Sequence, residues 1–515
     1  MADTLPAVLP DWLGWWSSTD YDVARTLLQR GFGALYALAF WGALRQFRPL
    51  LGEHGIATVP RFVQRTHWRD GPSLFRLRYS DRLLVTVAWC GVLLGVSVVV
   101  GLPQAGPWWV PALVFLVLWW CYLSLVNVGQ TFYAFGWETL LCEAGFLVAF
   151  LGSDAVGVPL VTILAVRWLL FRLEHGAGLI KWRGDRAWRD LTALYYHHET
   201  QPLPGPFSWH AHHLPRWWHR FEVVGTHVSQ LLVPYLLFLP QPFPSVAAAV
   251  FVLTQGWLVL TGNFAWLNWA TIVLALGVVD DGTWAWLGGL VGLPDGGAGA
   301  AGVGARAAGV GAGAAGAPLA PLAFVIAVSA VALLLLVLSV RPALNLASRN
   351  QRMNASFEPF RLVNAYGAFG SVTRHRDEVA VEGTLDQDPG PGGWTEYEFR
   401  GKPGPTDRRP PQVAPYHLRL DWLMWFLPLG HSSRWFTVFL RRLLEADPAT
   451  LRLLRHDPFG GRRPVAVRAV LYRYRYTTPD ERRRTGDWWV RQRLHLAVDP
   501  VRLVDGQLVD GRAAG

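Results

Sequence analysis

The residues from Arg172 to Trp209, RLEHGAGLIKWRGDRAWRDLTALYYHHETQPLPGPFSW, crowd charges, aromatic rings and histidines into the segment that follows a long apolar run. Lys181 stands at that junction and is one of only two lysines, with Lys402, in a chain of 47 basic residues. A chain that writes its positive charge as arginine, yet keeps lysine at the end of a membrane segment, has reason to place a titratable amine or compact ammonium there. The alternative is an interfacial lysine that snorkels to the headgroups. On a helix through 167–181, Arg167, Glu174 and Lys181 recur every seven residues and share a face, which predicts a charge ladder. Such a ladder either neutralises buried charge or holds Lys181 partly desolvated, as suits a proton-transferring base. If the chain is an enzyme, its catalytic set is then Lys181 with Glu174 and Glu143. Glu138, Glu143, Glu174 and Lys181 are too costly to leave in lipid, so they are expected to converge on one polar cavity.

The loop beyond Lys181 brings Tyr195, Tyr196, His197, His198 and Glu199, then His210, His212, His213, His219 and His227. Seven of the chain's 15 histidines in so short a stretch invite a metal hypothesis. HxH and HH pairs without cysteine and with few carboxylates read instead as interfacial histidines bonded to backbone or headgroups, so no metal is assigned. The PLPGP of 202–206 predicts a rigid strap. No P-loop, GxGxxG, GxSxG, HExxH or CxxC occurs, and no cofactor is expected.

These residues need a membrane scaffold to hold them. Hydrophobic residues make up 52% of 515 and charged ones only 16%, with 28 tryptophans, a profile that excludes an ordinary soluble domain. Cys90, Cys121 and Cys142 all fall in apolar segments, which argues against a disulfide framework. The net charge of +10 lies mostly in loops beside apolar runs and in the C-terminal third, so it indicates lipid headgroups and topology rather than nucleic acid.

Runs long enough to cross a bilayer occur near 83–102, 108–126, 158–180, 220–240, 245–262 and 320–340, with weaker ones near 27–47, 132–152 and 264–280. That makes six firm spans and up to nine. The expected organisation is an N-terminal segment over 1–26, a multi-pass transmembrane domain over 27–341 and an extramembrane domain over 353–515. Residues 296–318 form a Gly/Ala-rich flexible linker inside the second. With nine spans, the arginine-rich segments 45–82 and 180–220 and the C-terminal domain share one face, which the positive-inside rule puts in the cytoplasm. Period-2 patterns in 371–385, 394–400, 465–477 and 487–498 predict antiparallel strands, and 416–456 reads as helical, giving an α+β domain packed on the membrane face. In it, AYGAFG reads as a small-residue hinge leading to a strand whose Arg374 and Arg376 could meet Glu378 or Glu382.

Several blocks in order, GQTFYAFGWETLLCEAGFL (129–147), FRLEHGAGLIKWRGDRAWRDLTALYYHHETQPLPGPFSWHAHHLP (171–215), NAYGAFGSVTRHRDEVAVEGT (364–384), WTEYEFRGKPG (394–404) and RRPPQVAPYHLRLDWLMWF (408–426), resemble the lipase maturation factor family. The resemblance implies a multi-pass membrane protein whose animal relatives sit in the endoplasmic reticulum and help dimeric lipases fold and assemble, with the C-terminal domain and loop 180–220 on the luminal side. Scarce lysine and the Gly/Ala tract are what a GC-rich genome encodes, and for a bacterial chain the membrane would be the plasma membrane. The expected partners are client proteins, lipases by the resemblance, and the bilayer. Aromatics beside arginines favour binding hot spots, so Tyr196, His197, His198 and Trp209 of the loop and Tyr366, Phe369, Trp394, Tyr397 and Trp422 of the tail are the expected client-binding surface.

HGAGLIKWRGDRAW also carries a fainter similarity to the membrane domain of vitamin K-dependent gamma-carboxylases. That resemblance implies a membrane enzyme with Lys181 as the base toward a reduced quinone. A third reading is a structural or lipid-binding membrane protein, which predicts tolerance of change throughout 195–213.

Overall fold

The structure, a computed structural model, describes residues 16–290, 320–430 and 434–510. The proposed linker 296–318 and most of the N-terminal segment 1–26 lie outside the described residues. The membrane region opens with α1 (Asp22–Leu51), followed by α2 (Asp81–Val99), α3 (Trp109–Val128), the short α4 (Gly136–Val148) and α5 (Leu160–Arg183). Two small helices, α6 (Leu194–Thr200) and α7 (Ser208–His212), carry the histidine-rich loop. It leads into α8 (Arg216–His227), which continues through a π-turn at Val228–Leu232 and a 3-10 segment at Val233–Phe238. Helices α9 (Phe243–Thr261), α10 (Leu267–Leu276), α11 (Asp281–Leu290) and α12 (Leu322–Ala347) follow among the described residues.

Among the described residues, five helical segments are long and apolar enough to cross a membrane: α2, α3, α8 with its extension, α9 and α12. The pair α10 and α11, bent by 98°, would make a sixth as one broken span. The runs at 27–47 and 158–180 do form long helices, α1 and α5, but both carry charges. Arg167, Arg172, Glu174 and Lys181 of α5 are all buried, so that helix is enclosed by its neighbours, as charge in an apolar medium requires. The run at 132–152 becomes the 13-residue α4, about 20 Å long and too short to cross an apolar core of about 30 Å. On α8, Trp217, Phe221, Val224, Val228, Leu232 and Tyr235 recur every three or four residues and are exposed, the stripe expected of a lipid-facing helix.

Helix α1 is the central post. Its first turn has no side-chain cap of its own; the Asp281 carboxylate accepts from the backbone N–H groups of Asp22 and Val23 at 3.0 and 3.1 Å, placing negative charge where the helix dipole favours it. Further along, α1 and α2 pack through glycine. A Cβ on Gly95 would lie 2.7 Å from the Gly33 carbonyl oxygen and 2.9 Å from the Ala37 nitrogen, the close backbone approach that small residues permit between membrane helices.

The C-terminal region is built on a five-stranded antiparallel sheet. In chain order its strands are β1 (Arg376–Thr384), β2 (Thr395–Glu396), β3 (Ala466–Tyr476), β4 (Trp489–Val504) and β5 (Gln507–Asp510). Their spatial order is β2-β1-β3-β4-β5, and β1 pairs with β3 from Arg376↔Tyr474 to Thr384↔Ala466. The period-2 pattern is visible in β3: Tyr474 and Tyr476 are buried, while Arg473 and Arg475 turn outward to Asp377 and Glu481. Between strands lie α13 (Arg419–Phe426) and α14 (Arg434–Leu444). The latter buries Trp435, Phe436, Phe439, Leu440, Leu443 and Leu444 on one face, as an amphipathic helix on a sheet must.

The segments 45–82 and 180–220 and the described residues of the C-terminal region meet at one end of the helices. Arg442 donates to the His54 carbonyl at 2.5 Å, and Arg376 donates to the Glu199 carbonyl at 2.9 Å.

Replacing Gly95 with Val should push α1 and α2 apart and cost about 1–3 kcal/mol, seen as a lower Tm in detergent. Gly256→Ala, with no atom within 4 Å of its added Cβ, should not lower the Tm, since alanine is the better helix former.

Candidate functional site

The four ionisable groups expected to share one cavity are divided among three closed polar networks, and none of them points into lipid. The first is centred on Glu143 of α4. Its carboxylate forms a buried ion pair with Arg172 of α5. It also accepts from the Asn364 backbone N–H at 2.9 Å, the Asn364 amide at 2.8 Å and the Tyr366 hydroxyl at 2.7 Å. Arg172 in turn donates to the Asn364 carbonyl at 2.5 Å. Two membrane helices are thereby fastened to the NAYGAFG segment that opens the C-terminal region. Close approach is essential here, since a Cβ on Gly176 would stand 2.6 Å from the Tyr366 carbonyl oxygen.

The second network is centred on Glu138, one turn earlier on α4. It pairs with Arg419 of α13 at 2.6 Å and accepts from the Tyr122 hydroxyl. The Arg419 guanidinium lies 3.4 Å over the Tyr133 ring and donates to the Phe132 carbonyl at 2.8 Å. Beside it, His417 Nδ1 accepts from the Trp137 indole N–H at 3.3 Å. Burial, with the Arg419 guanidinium alongside, pushes the His417 imidazole down to about 4.

The third network contains Lys181 and Glu174, joined indirectly. Lys181 Nζ donates to Gln230 Oε1 at 2.9 Å, and the Gln230 amide donates to Glu174 at 3.1 Å. Glu174 also accepts from Gln255 at 2.7 Å, whose oxygen accepts from Asn268 at 2.7 Å. The π-turn of α8 supplies Gln230, and such turns place side chains that a regular helix would turn elsewhere. Arg167, the third rung of the expected ladder, leaves this network and donates to the Tyr21 hydroxyl at 2.9 Å. The other lysine, Lys402, is also buried and pairs with Glu378 at 3.0 Å.

The loop after Lys181 is gripped by the sheet. Arg376 of β1, paired with Glu378 at 2.6 Å, donates to the carbonyls of Glu199, Gln201 and Pro202. The Tyr476 N–H donates to the Glu199 carboxylate at 2.8 Å, and the Trp209 indole donates to the Thr477 carbonyl at 2.9 Å. Arg374 reaches Asp185, and Glu382 takes Arg468 instead.

This arrangement corrects the expected client surface. His197, His198, Trp209, Tyr366, Tyr397 and Trp422 are buried and serve internal packing. His197 lies against Phe369, Tyr397 against Phe459 and Trp422 against Trp137. Only Tyr196, Phe369 and Trp394 of the nine keep partial exposure, with Tyr196 under the Arg374 guanidinium and Trp394 under that of Arg468. The histidine pairs visible in the sequence are not the grouping the fold makes. His198 of α6 meets His219 and Glu222 of α8, their ligand atoms all within 4.8 Å of one another. Arg419, His417, Gln230, Asn364 and Glu222 escaped the sequence reading. Each gains its role from contact with a distant element, and only the i,i+3 spacing of His219 and Glu222 was a local signal.

Helices of this length and polarity, locked through buried ion pairs to an antiparallel α+β domain, define an integral multi-pass membrane protein. The chain belongs to the lipase maturation factor family. The transmembrane domain model of that family matches residues 23–286 and its C-terminal domain model matches 362–498. Lipase maturation factor 1 of Bos taurus is 39% identical, over 94% of this chain and 90% of its own. The Homo sapiens protein of the same name is 36% identical, over 93% and 88%. Lipase maturation factor 2 of Homo sapiens is 32% identical, over 94% and 83%. No solved structure matches.

Arg172→Ala would strand the buried Glu143 carboxylate and should cost about 3–5 kcal/mol, measured as lost folded yield and a lower Tm. Acid should also loosen the junction. An unfolded histidine titrates near 6.5, so below that pH the unfolded chain takes up a proton that folded His417 refuses. Stability from this group is complete above about pH 6.5 and falls by up to about 1.4 kcal/mol per pH unit down to about pH 4. Thermal unfolding at pH 7.5 and pH 5 should show a smaller difference in His417→Gln than in the native chain.

Proposed function

We propose that this chain is a membrane-embedded maturation factor that assists lipases or related secreted enzymes in folding or assembly. The observation that carries this reading is the match to proteins named lipase maturation factor along both the helical and the C-terminal regions. The junction supports it, because its buried charges are spent on fastening one element to another, as in a rigid platform. Lys181 is held by Gln230 at the end of a hydrogen-bonded chain that ties α5, α8, α9 and α10 together. The membrane is one through which secreted enzymes pass, that of the endoplasmic reticulum in a eukaryotic cell or the plasma membrane in a bacterial one. Tyr196 and Trp394, each partly exposed beneath an arginine, are the client-facing aromatics on this reading, since ring and guanidinium pairs are what contact hot spots favour.

Co-expression with a secreted lipase tests it. The specific activity of the lipase should rise several-fold over a vector control, and the lipase should co-purify with the chain. Tyr196→Ala with Trp394→Ala should abolish co-purification while leaving Tm and membrane insertion unchanged. Lys181→Arg should retain the effect. No gain in active lipase from a folded, inserted chain would overturn the proposal, and loss of the effect in Lys181→Arg alone would favour an enzyme with Lys181 as base.

A further inference from the structure

Behind the strap of the loop, α6 and the first turns of α8 bring three ligand-type side chains together in a buried position. His198 and His219 are each about 2% exposed, and the Glu222 side chain is 8% exposed. His219 Nδ1 lies 3.1 Å from Glu222 Oε2, and His198 Nε2 lies 3.7 Å from the same oxygen. Ligands bound to zinc at about 2.1 Å in a tetrahedron stand about 3.4 Å apart, so both separations are already those of a coordination polyhedron's edges.

Glu222 and His219 each carry an outer bond of the kind that orients metal ligands. Glu222 Oε1 accepts from the Trp257 indole N–H at 2.6 Å, leaving Oε2 turned to the histidines. His219 Nε2 faces the His212 carbonyl oxygen at 3.3 Å, which fixes the proton on Nε2 and turns the Nδ1 lone pair toward Glu222. Outer-shell bonds of this kind orient ligands in metal sites. In the neutral tautomer that lone pair faces a carboxylate oxygen, so the 3.1 Å contact calls for a positive centre at Nδ1, either a second proton or a metal ion. His198 adds a second anomaly, because neither of its ring nitrogens has a hydrogen-bond partner despite full burial. Buried polar atoms are seldom left so.

We propose that His198, His219 and Glu222 bind one divalent transition-metal ion of the zinc type through His198 Nε2, His219 Nδ1 and Glu222 Oε2, with a fourth position left for water. Imidazole and carboxylate donors without thiolate suit zinc among the common intracellular metals. The ion cross-links α6 to α8 and so fastens the loop that Arg376 and Tyr476 hold from the other side. This site is independent of the maturation-factor reading.

Metal analysis of the full-length protein, purified in detergent from zinc-supplemented cells, should find one zinc per chain. After stripping with a chelator, added Co2+ should restore one equivalent with the visible d–d spectrum of a four-coordinate nitrogen and oxygen site. His198→Asn and Glu222→Gln should each weaken binding about 100-fold or more, and Trp257→Phe, which removes only the outer-shell donor, about 10–100-fold. His210→Asn, at an exposed histidine, should change nothing. Near-zero metal in the native protein with no saturable cobalt spectrum would overturn the proposal, leaving an imidazolium at His219 paired with Glu222. Full metal retention in Glu222→Gln, or loss confined to His212→Asn, would overturn it equally. If the ligand variants aggregate, the native stoichiometry and the Trp257→Phe affinity give the answer by themselves.

Discussion

The structure depends on two carboxylates, Glu138 and Glu143, buried on a helix too short to cross the membrane. A buried charge must find a partner or be neutralised, and α4 offers neither carboxylate a cation of its own. Glu143 takes Arg172 from α5 and the Asn364 and Tyr366 donors from the start of the C-terminal region. Glu138 takes Arg419 from α13. The C-terminal domain is therefore bound to the membrane helices by the Glu138–Arg419 pair, whose two charges would be stranded if it left. Removing one partner of such a pair costs far more than the pair itself contributes, because the other charge stays behind.

The same logic governs the histidine-rich loop. Its backbone carbonyls at Glu199, Gln201 and Pro202 would lie buried without donors, and Arg376 serves all three. Arg376 is itself neutralised by Glu378, which also takes Lys402. Both lysines of the chain thus end in buried polar contacts.

Sites of this type are stiff. The three networks, with the Arg167–Tyr21 bond, leave the buried ionisable groups of α4 and α5 held by protein donors and acceptors. Preorganised surfaces bind with less ordering cost than mobile ones.

Much of this protein was legible in its sequence. Apolar run lengths located the helices, and the Tyr472–Arg473–Tyr474–Arg475–Tyr476 alternation located β3, since periods of 3.6 and 2 are local consequences of backbone geometry. The cost of charge in an apolar medium showed that Glu143, Glu174 and Lys181 must be enclosed. Which group encloses each was settled only by tertiary structure: Arg419 lies 281 residues from Glu138, and Asn364 lies 221 residues from Glu143. One cavity was expected where three networks exist, because helical spacing gives the face a side chain occupies but not which neighbour reaches it first. Likewise, six aromatic and imidazole rings expected on a binding surface are buried, since composition says what a contact could be made of and only packing decides whether its inside or outside face is used. His198, His219 and Glu222 follow the same rule. Residue types and local spacing put candidates within reach, and the approach of α6 to α8 selected the three that meet.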